Sequence, residues 1–121
     1  MSVTGASSQV ISQVYGGGQG GAATYKNDYV ELFNPTGAAI SLAGYSVQYQ
    51  PATGTGAWSG KVALSGSIGA GKYFLVQMSA NTGSGTSALD LPAPDVTSTA
   101  VGMSATAGKV ALVSNNTALT R

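Results

Sequence analysis

Apolar and polar positions alternate with a period of two over much of this chain, the mark of strands with one buried face. The clearest case is Asp28–Asn34, D-Y-V-E-L-F-N, where Val30 and Leu32 alternate with Tyr29, Glu31 and Phe33. It reads as a central strand. Asn34-Pro35 ends it, because proline has no N–H for the ladder and biases the residue before it away from helix. Gln9–Tyr15 sets Val10, Ser12 and Val14 against Ile11, Gln13 and Tyr15, a strand with two plausible inward faces. Ile40 and Leu42 stand two apart before a glycine turn. Tyr45–Gln50 then sets Tyr45, Val47 and Tyr49 against Ser46, Gln48 and Gln50, predicting one apolar face and one wet face. Trp58 opens a weaker strand through Val62 and Leu64. Tyr73–Met78 is an almost continuous apolar run, expected to be buried on most sides. Thr99–Met103 suits a short edge strand, and Val110–Ser114 is the last.

The intervening segments are rich in turn formers. Gly16–Thr24, G-G-G-Q-G-G-A-A-T, can bury little apolar area, and its glycines lose much entropy on ordering, so a mobile surface excursion is expected. Pro51–Gly56 and Ser65–Lys72 are turns, Ser79–Leu89 carries few order signals, and Leu91–Asp95 reads as an extended, polyproline-like connector. About seven to nine short strands, turn signals every 8–12 residues and no helical period predict an all-β sandwich. A length of 121 residues allows one domain. The expected division is a tail over 1–8, the sandwich over 9–114, and a tail or linker over 115–121.

Composition narrows the function classes. The chain is 43% hydrophobic and only 7% charged, against roughly a quarter in ordinary soluble domains, so small polar groups must solubilise its surface. That balance is familiar in secreted bacterial proteins and virion parts. The net charge is +1, with Lys26, Lys61, Lys72, Lys109 and Arg121 dispersed, which argues against direct DNA or RNA binding. Cysteine and histidine are absent. Their absence removes disulfides, Ser-His-Asp and Cys-His catalysis, and nearly all structural zinc sites. The Gly16–Thr24 stretch is not the G-x-x-x-x-G-K-[ST] phosphate loop, and no helix pattern follows it. Met1–Gly5 lacks the basic region and apolar run of a signal peptide, so a secreted parent would already have lost its leader. No stretch approaches the roughly 20 apolar residues that span a bilayer, so no membrane insertion is expected.

Of the four acids, Asp28, Glu31 and Asp95 are candidates for chemistry. Asp28 and Glu31 lie three apart on a strand and point to opposite faces, which disfavours a paired general acid and base. The simpler expectation is that Asp28 accepts loop N–H groups while Glu31 faces solvent or pairs with a lysine. Calcium takes about 6–8 oxygens, and Asp28 with Asp95 is the pair least at odds with it, although no metal or other cofactor is expected. Trp58 with Tyr45 and Tyr49 would make a sugar-stacking platform. The preferred expectation is that Trp58 caps the core with its N–H bonded to a loop carbonyl.

Five segments together carry a resemblance: I-S-Q-V-Y-G from Ile11, Y-K-N-D-Y-V-E-L-F-N-P-T-G from Tyr25, I-S-L-A-G-Y-S-V-Q-Y from Ile40, I-G-A-G-K-Y-F-L-V from Ile68 and M-S-A-T-A-G-K-V-A-L-V from Met103. In order and content, over residues 9 to 114, they resemble the lamin tail domain family, particularly its bacterial members in secreted proteins. The most specific parts are the E-L-x-N-P turn at Glu31–Pro35 and the L-x-G-[WY]-x-[VL] strand at Leu42–Val47, with Tyr45 where many members have Trp. The resemblance implies an immunoglobulin-like β-sandwich, in bacteria often appended to extracellular nucleases, phosphatases or surface proteins. It implies no catalytic residue, and in nuclear lamins the domain is a docking surface for proteins.

The favoured expectation is a non-catalytic interaction or targeting module of an extracellular or cell-surface protein, with a protein or cell-surface partner. A structural spacer or self-assembling surface unit is the first alternative, since low charge resists self-association only weakly. An accessory of an extracellular nuclease or phosphatase, or an enzyme using Asp28, Glu31 or Asp95, is the second.

Overall fold

A computed structural model describes residues 8–18, 25–80 and 91–120, and those residues form only strands, turns and loops. Among the described residues nine strands run in chain order: β1 Val10–Tyr15, β2 Asn27–Phe33, β3 Ile40–Ser41, β4 Ser46–Gln50, β5 Gly60–Ala63, β6 Ser67–Ile68, β7 Tyr73–Ala80, β8 Val96–Thr97 and β9 Lys109–Val113. One sheet has the order β1-β2-β7-β8, a second β5-β4-β9, and β3 pairs with β6 in a small ribbon. Only β7 and β8 pair in parallel. Val30 and Leu32 of β2 and Phe74, Val76 and Met78 of β7 meet Val47 and Tyr49 of β4 and Val62 of β5 in one core. Leu42, Leu64, Ile68, Val101 and Met103 complete it. This is the expected immunoglobulin-like sandwich, and β2 is its central strand as its period predicted.

A bulge explains the two-faced pattern of β1. Val10 pairs with Phe33 and Ile11 with Leu32, but Gln13 pairs with Glu31, so Ser12 is an extra residue in the ladder. Past it, Val14 stands opposite Val30 on the side that Ile11 shares with Leu32. The bulge thus puts Ile11 and Val14, from opposite sequence faces, on the same side of the sheet, where Ile11 packs against the core and Val14 stays 45% exposed.

Asn34 does more than precede the terminating proline. It is fully buried; its Oδ1 accepts the Thr36 N–H at 2.9 Å and the Thr36 hydroxyl at 2.6 Å, and its Nδ2 donates to the carbonyls of Ala38 at 2.8 Å and Ile68 at 2.9 Å. Its backbone N–H donates to the Lys72 carbonyl, and its own carbonyl accepts from Gly71. One side chain therefore ties the end of β2 to both neighbouring turns. Gly44, in the turn closed by Tyr45 N–H on the Leu42 carbonyl, has φ +84°, a conformation that favours glycine.

Several expectations need correction. The polar face of β4 is not wet: Ser46 and Gln48 have no exposed surface and Gln50 is buried. The residues after β9 cover it rather than trailing away. The Ser46 hydroxyl donates to the Asn115 carbonyl at 2.7 Å and Gln48 Nε2 to the Thr117 carbonyl at 2.8 Å, while Gln48 Oε1 accepts the Leu119 N–H at 2.8 Å. Buried amide and hydroxyl groups keep partners, so burial is tolerated. Secondly, Tyr73 is 61% exposed, and β7 alternates, with Phe74, Val76 and Met78 inward and Leu75 and Gln77 half-buried on the outer face. Among the described residues no second sheet covers that outer face.

Thirdly, Thr99–Met103 is not a strand. Val101 and Met103 fill the core from a loop, Ser79 N–H bonds to the Val101 carbonyl, and β8 is the edge. Finally, Gly16–Gly18 is not a free excursion. Gly18 is buried, and a β-carbon there would lie 2.3 Å from the Asn27 carbonyl carbon, so only glycine lets the loop lie on β2. Residues 19–24 of that stretch and 81–90 of the Ser79–Leu89 segment lie outside the described residues.

Candidate functional site

The acids carry any catalytic or metal chemistry open to this chain, which has neither cysteine nor histidine. Asp28 shares the inward face of β2 with Val30 and Leu32 and is fully buried. Its Oδ1 accepts the Gly18 N–H at 2.9 Å and its Oδ2 the Met103 N–H at 2.7 Å. Burial pushes its pKa above the ordinary carboxylate value, and these two hydrogen bonds pull the other way. The carboxylate thus accepts loop N–H groups, as expected, and pins two loops to the central strand. Glu31 lies on the opposite face, where its Oε1 accepts the Ser12 hydroxyl at 2.8 Å. The bulge residue of β1 therefore positions it.

Asp95 is exposed at the far side of the sheet. Its N–H donates to the Leu75 carbonyl at 2.9 Å, and its Oδ2 accepts the Leu75 N–H at 2.8 Å. Asp28 and Asp95 therefore serve different backbone groups, one within the core and one outside it. Among the described residues no three His, Cys, Asp or Glu side chains gather to hold a metal.

The aromatic platform that was the alternative for Trp58, Tyr45 and Tyr49 does not form, and the preferred capping bond of the Trp58 indole does not form either. Tyr49 belongs to the core, and its hydroxyl accepts the Ser104 N–H at 3.0 Å. It is the backbone N–H of Trp58, not the indole, that reaches a loop carbonyl, that of Leu119 at 2.8 Å. The indole N–H is buried with no partner among the described residues.

Aromatic rings gather instead on the outer face of the four-stranded sheet. Tyr15 and Tyr29, paired across β1 and β2, stack with centroids 5.2 Å apart, and Tyr25 meets both edge-on at 5.9 and 6.1 Å. Phe33 and Tyr73, paired across β2 and β7, lie 4.7 Å apart. A groove of about 330 Å³ crosses this face, with Gln13, Glu31 and Leu75 on the strands, tyrosines 25, 29 and 73 beside them, and the Leu91–Ala93 segment and Asp95 along one wall. Neither lysine nor arginine is among the described residues that line it. Burial raises the pKa of Tyr29 above 10, with Tyr25, Glu31 and Tyr15 adding to the rise and a Gln13 hydrogen bond opposing it. That phenol is neutral at physiological pH.

This arrangement offers binding chemistry: a mostly rigid strand-borne floor, aromatic surface, hydroxyl and carboxamide groups, and two carboxylates on either side of Leu75. Glu31 was singled out by sequence for the wrong surroundings, and the tyrosine group was missed. The available signal was the outer face of the central strand, where Tyr29, Glu31 and Phe33 stand in place of small polar residues.

No match was found among curated proteins or among solved structures. The sequence does match the Lamin Tail Domain family over residues 3–120, nearly its full length. That match agrees with the E-L-x-N-P turn built on Asn34, the Gly44 turn and the two-sheet core, and the chain belongs to the lamin tail domain family.

Proposed function

We propose that this domain is a non-catalytic interaction or targeting module of a secreted or cell-surface bacterial protein, and that its docking surface is the outer face of the sheet β1-β2-β7-β8. The observation that carries the reading is the groove itself. Residues from four separate parts of the chain converge on it, and it includes Tyr73, a large aromatic exposed over 61% of its surface. Aromatic side chains give much contact area for little lost side-chain entropy, which suits them to anchoring a partner. The two neighbouring carboxylates of the central strand, Asp28 and Glu31, are on opposite faces, which supports binding over paired acid and base chemistry. An extracellular setting is supported by the low charge and the surface of small polar residues.

The test is to probe protein and glycan arrays with the wild-type domain and with Tyr73→Ala. Binding by the wild type that the variant loses is the expected result. Equal binding by both would move the docking surface elsewhere, and no binding above background by the wild type would favour a structural spacer.

A further inference from the structure

We infer that the groove accommodates a basic segment of a protein partner, held extended across the sheet with lysine or arginine side chains against Glu31 and Asp95. The inference rests on the docking-surface reading and adds the chemistry of the occupant.

Charge is the first argument. Glu31 and Asp95 line the groove, and none of the other described residues that line it is a lysine or arginine. An anionic occupant such as a nucleic acid or phosphate would meet two like charges. A cationic one would meet two opposite charges and the electron-rich faces of tyrosine rings.

Geometry is the second. Leu75 pairs with Glu31 across β2 and β7, and on its other side exchanges two hydrogen bonds with Asp95. The two carboxylates therefore stand within about two strand spacings, roughly 10 Å or less. Side chains on one face of an extended peptide repeat about every 7 Å, so alternate residues of a bound strand can reach both. Leu75 lies between the acids and Leu91, Pro92 and Ala93 lie alongside, so the aliphatic stems of the two cationic side chains meet an apolar surface. Each acid is also held in place: Ser12 bonds Glu31 Oε1 and the Leu75 N–H bonds Asp95 Oδ2, which leaves the other oxygen of each unused by these bonds. Fixed carboxylates lose less freedom on binding than mobile ones.

The test measures fluorescence anisotropy of a short labelled peptide with arginine at alternate positions among leucines, against the same peptide with neutral citrulline. Cellohexaose and tetramethylammonium serve as competitors. The arginine peptide should bind at least about tenfold tighter than its citrulline counterpart and weaken as ionic strength rises. Glu31→Gln and Asp95→Asn, which keep an acceptor oxygen for Ser12 and Leu75, should each weaken it about twofold to fivefold. Lys61→Ala, outside the groove, should leave it unchanged, and thermal melts should show all variants folded.

Equal affinity for the citrulline peptide, or competition by cellohexaose with binding insensitive to both acid substitutions, would overturn the cationic occupant while leaving the groove as a docking surface. If neither peptide nor sugar binds and array binding survives Tyr73→Ala, both readings fall.

Discussion

Asn34 shows how much one side chain can organise in a protein with little charge. Its amide uses both donor hydrogens and its carbonyl oxygen on two separate backbone segments, the Thr36–Ala38 turn and Ile68. Asn34→Ala should therefore cost about 2–4 kcal/mol, since it leaves buried carbonyls unpaired; urea unfolding would check it. Leu32→Ala, in the fully buried core, should cost about 2–5 kcal/mol. Glu31→Gln, on the outer face, should shift stability by no more than about 0.5 kcal/mol. Asp28 gives a pH-dependent prediction. Its pKa is raised in the folded protein by burial, so the fold binds that proton more tightly than the unfolded chain does. Its contribution to stability is thus greatest below 3.8 and is lost as pH rises through the raised value. Compared with Asp28→Asn, which cannot titrate there, the wild type should lose relative stability as pH rises from 3.8; urea midpoints over a pH series would show the opposite slope if this is wrong.

At the scale of elements, β2 was legible because a strict alternation ends in Asn-Pro, two local signals that agree. The inward face of β1 was not, since a one-residue bulge exchanges the faces midway and no local pattern marks Ser12 as the extra residue. Polar β4 misled for a different reason. Ser46 and Gln48 look solvent-facing until the distant Asn115–Leu119 segment is known to cover them, and that segment has no periodicity of its own. Removing residues 114–121 should strip those bonds together with the Trp58 and Lys61 contacts to Leu119 and Asn116, costing about 2–5 kcal/mol on the order of 1 per bond. Equilibrium unfolding of the truncated chain would measure it, and an unchanged midpoint would show that the cover is decorative.

For the whole molecule, the two-layer sandwich and its core were readable from strand number and pattern, whereas the groove was not. Its walls come from β1, β2, β7 and the Leu91–Asp95 connector, and only pairing register brings them together. The edges of that sheet are β1, which is bulged, and β8, which is two residues long, so neither offers a long flat ladder to a second copy. The domain should scatter light as a monomer at concentrations where edge-paired proteins associate, and a mass that grows with concentration would revive the self-assembly reading. The late closure over β4 also bears on synthesis. β4 pairs with β9, more than half the chain away, and its amide face is sealed by residues later still. A ribosome would have to release the chain through Leu119 before this sheet could close, so the domain matures only once residues 115–119 have emerged.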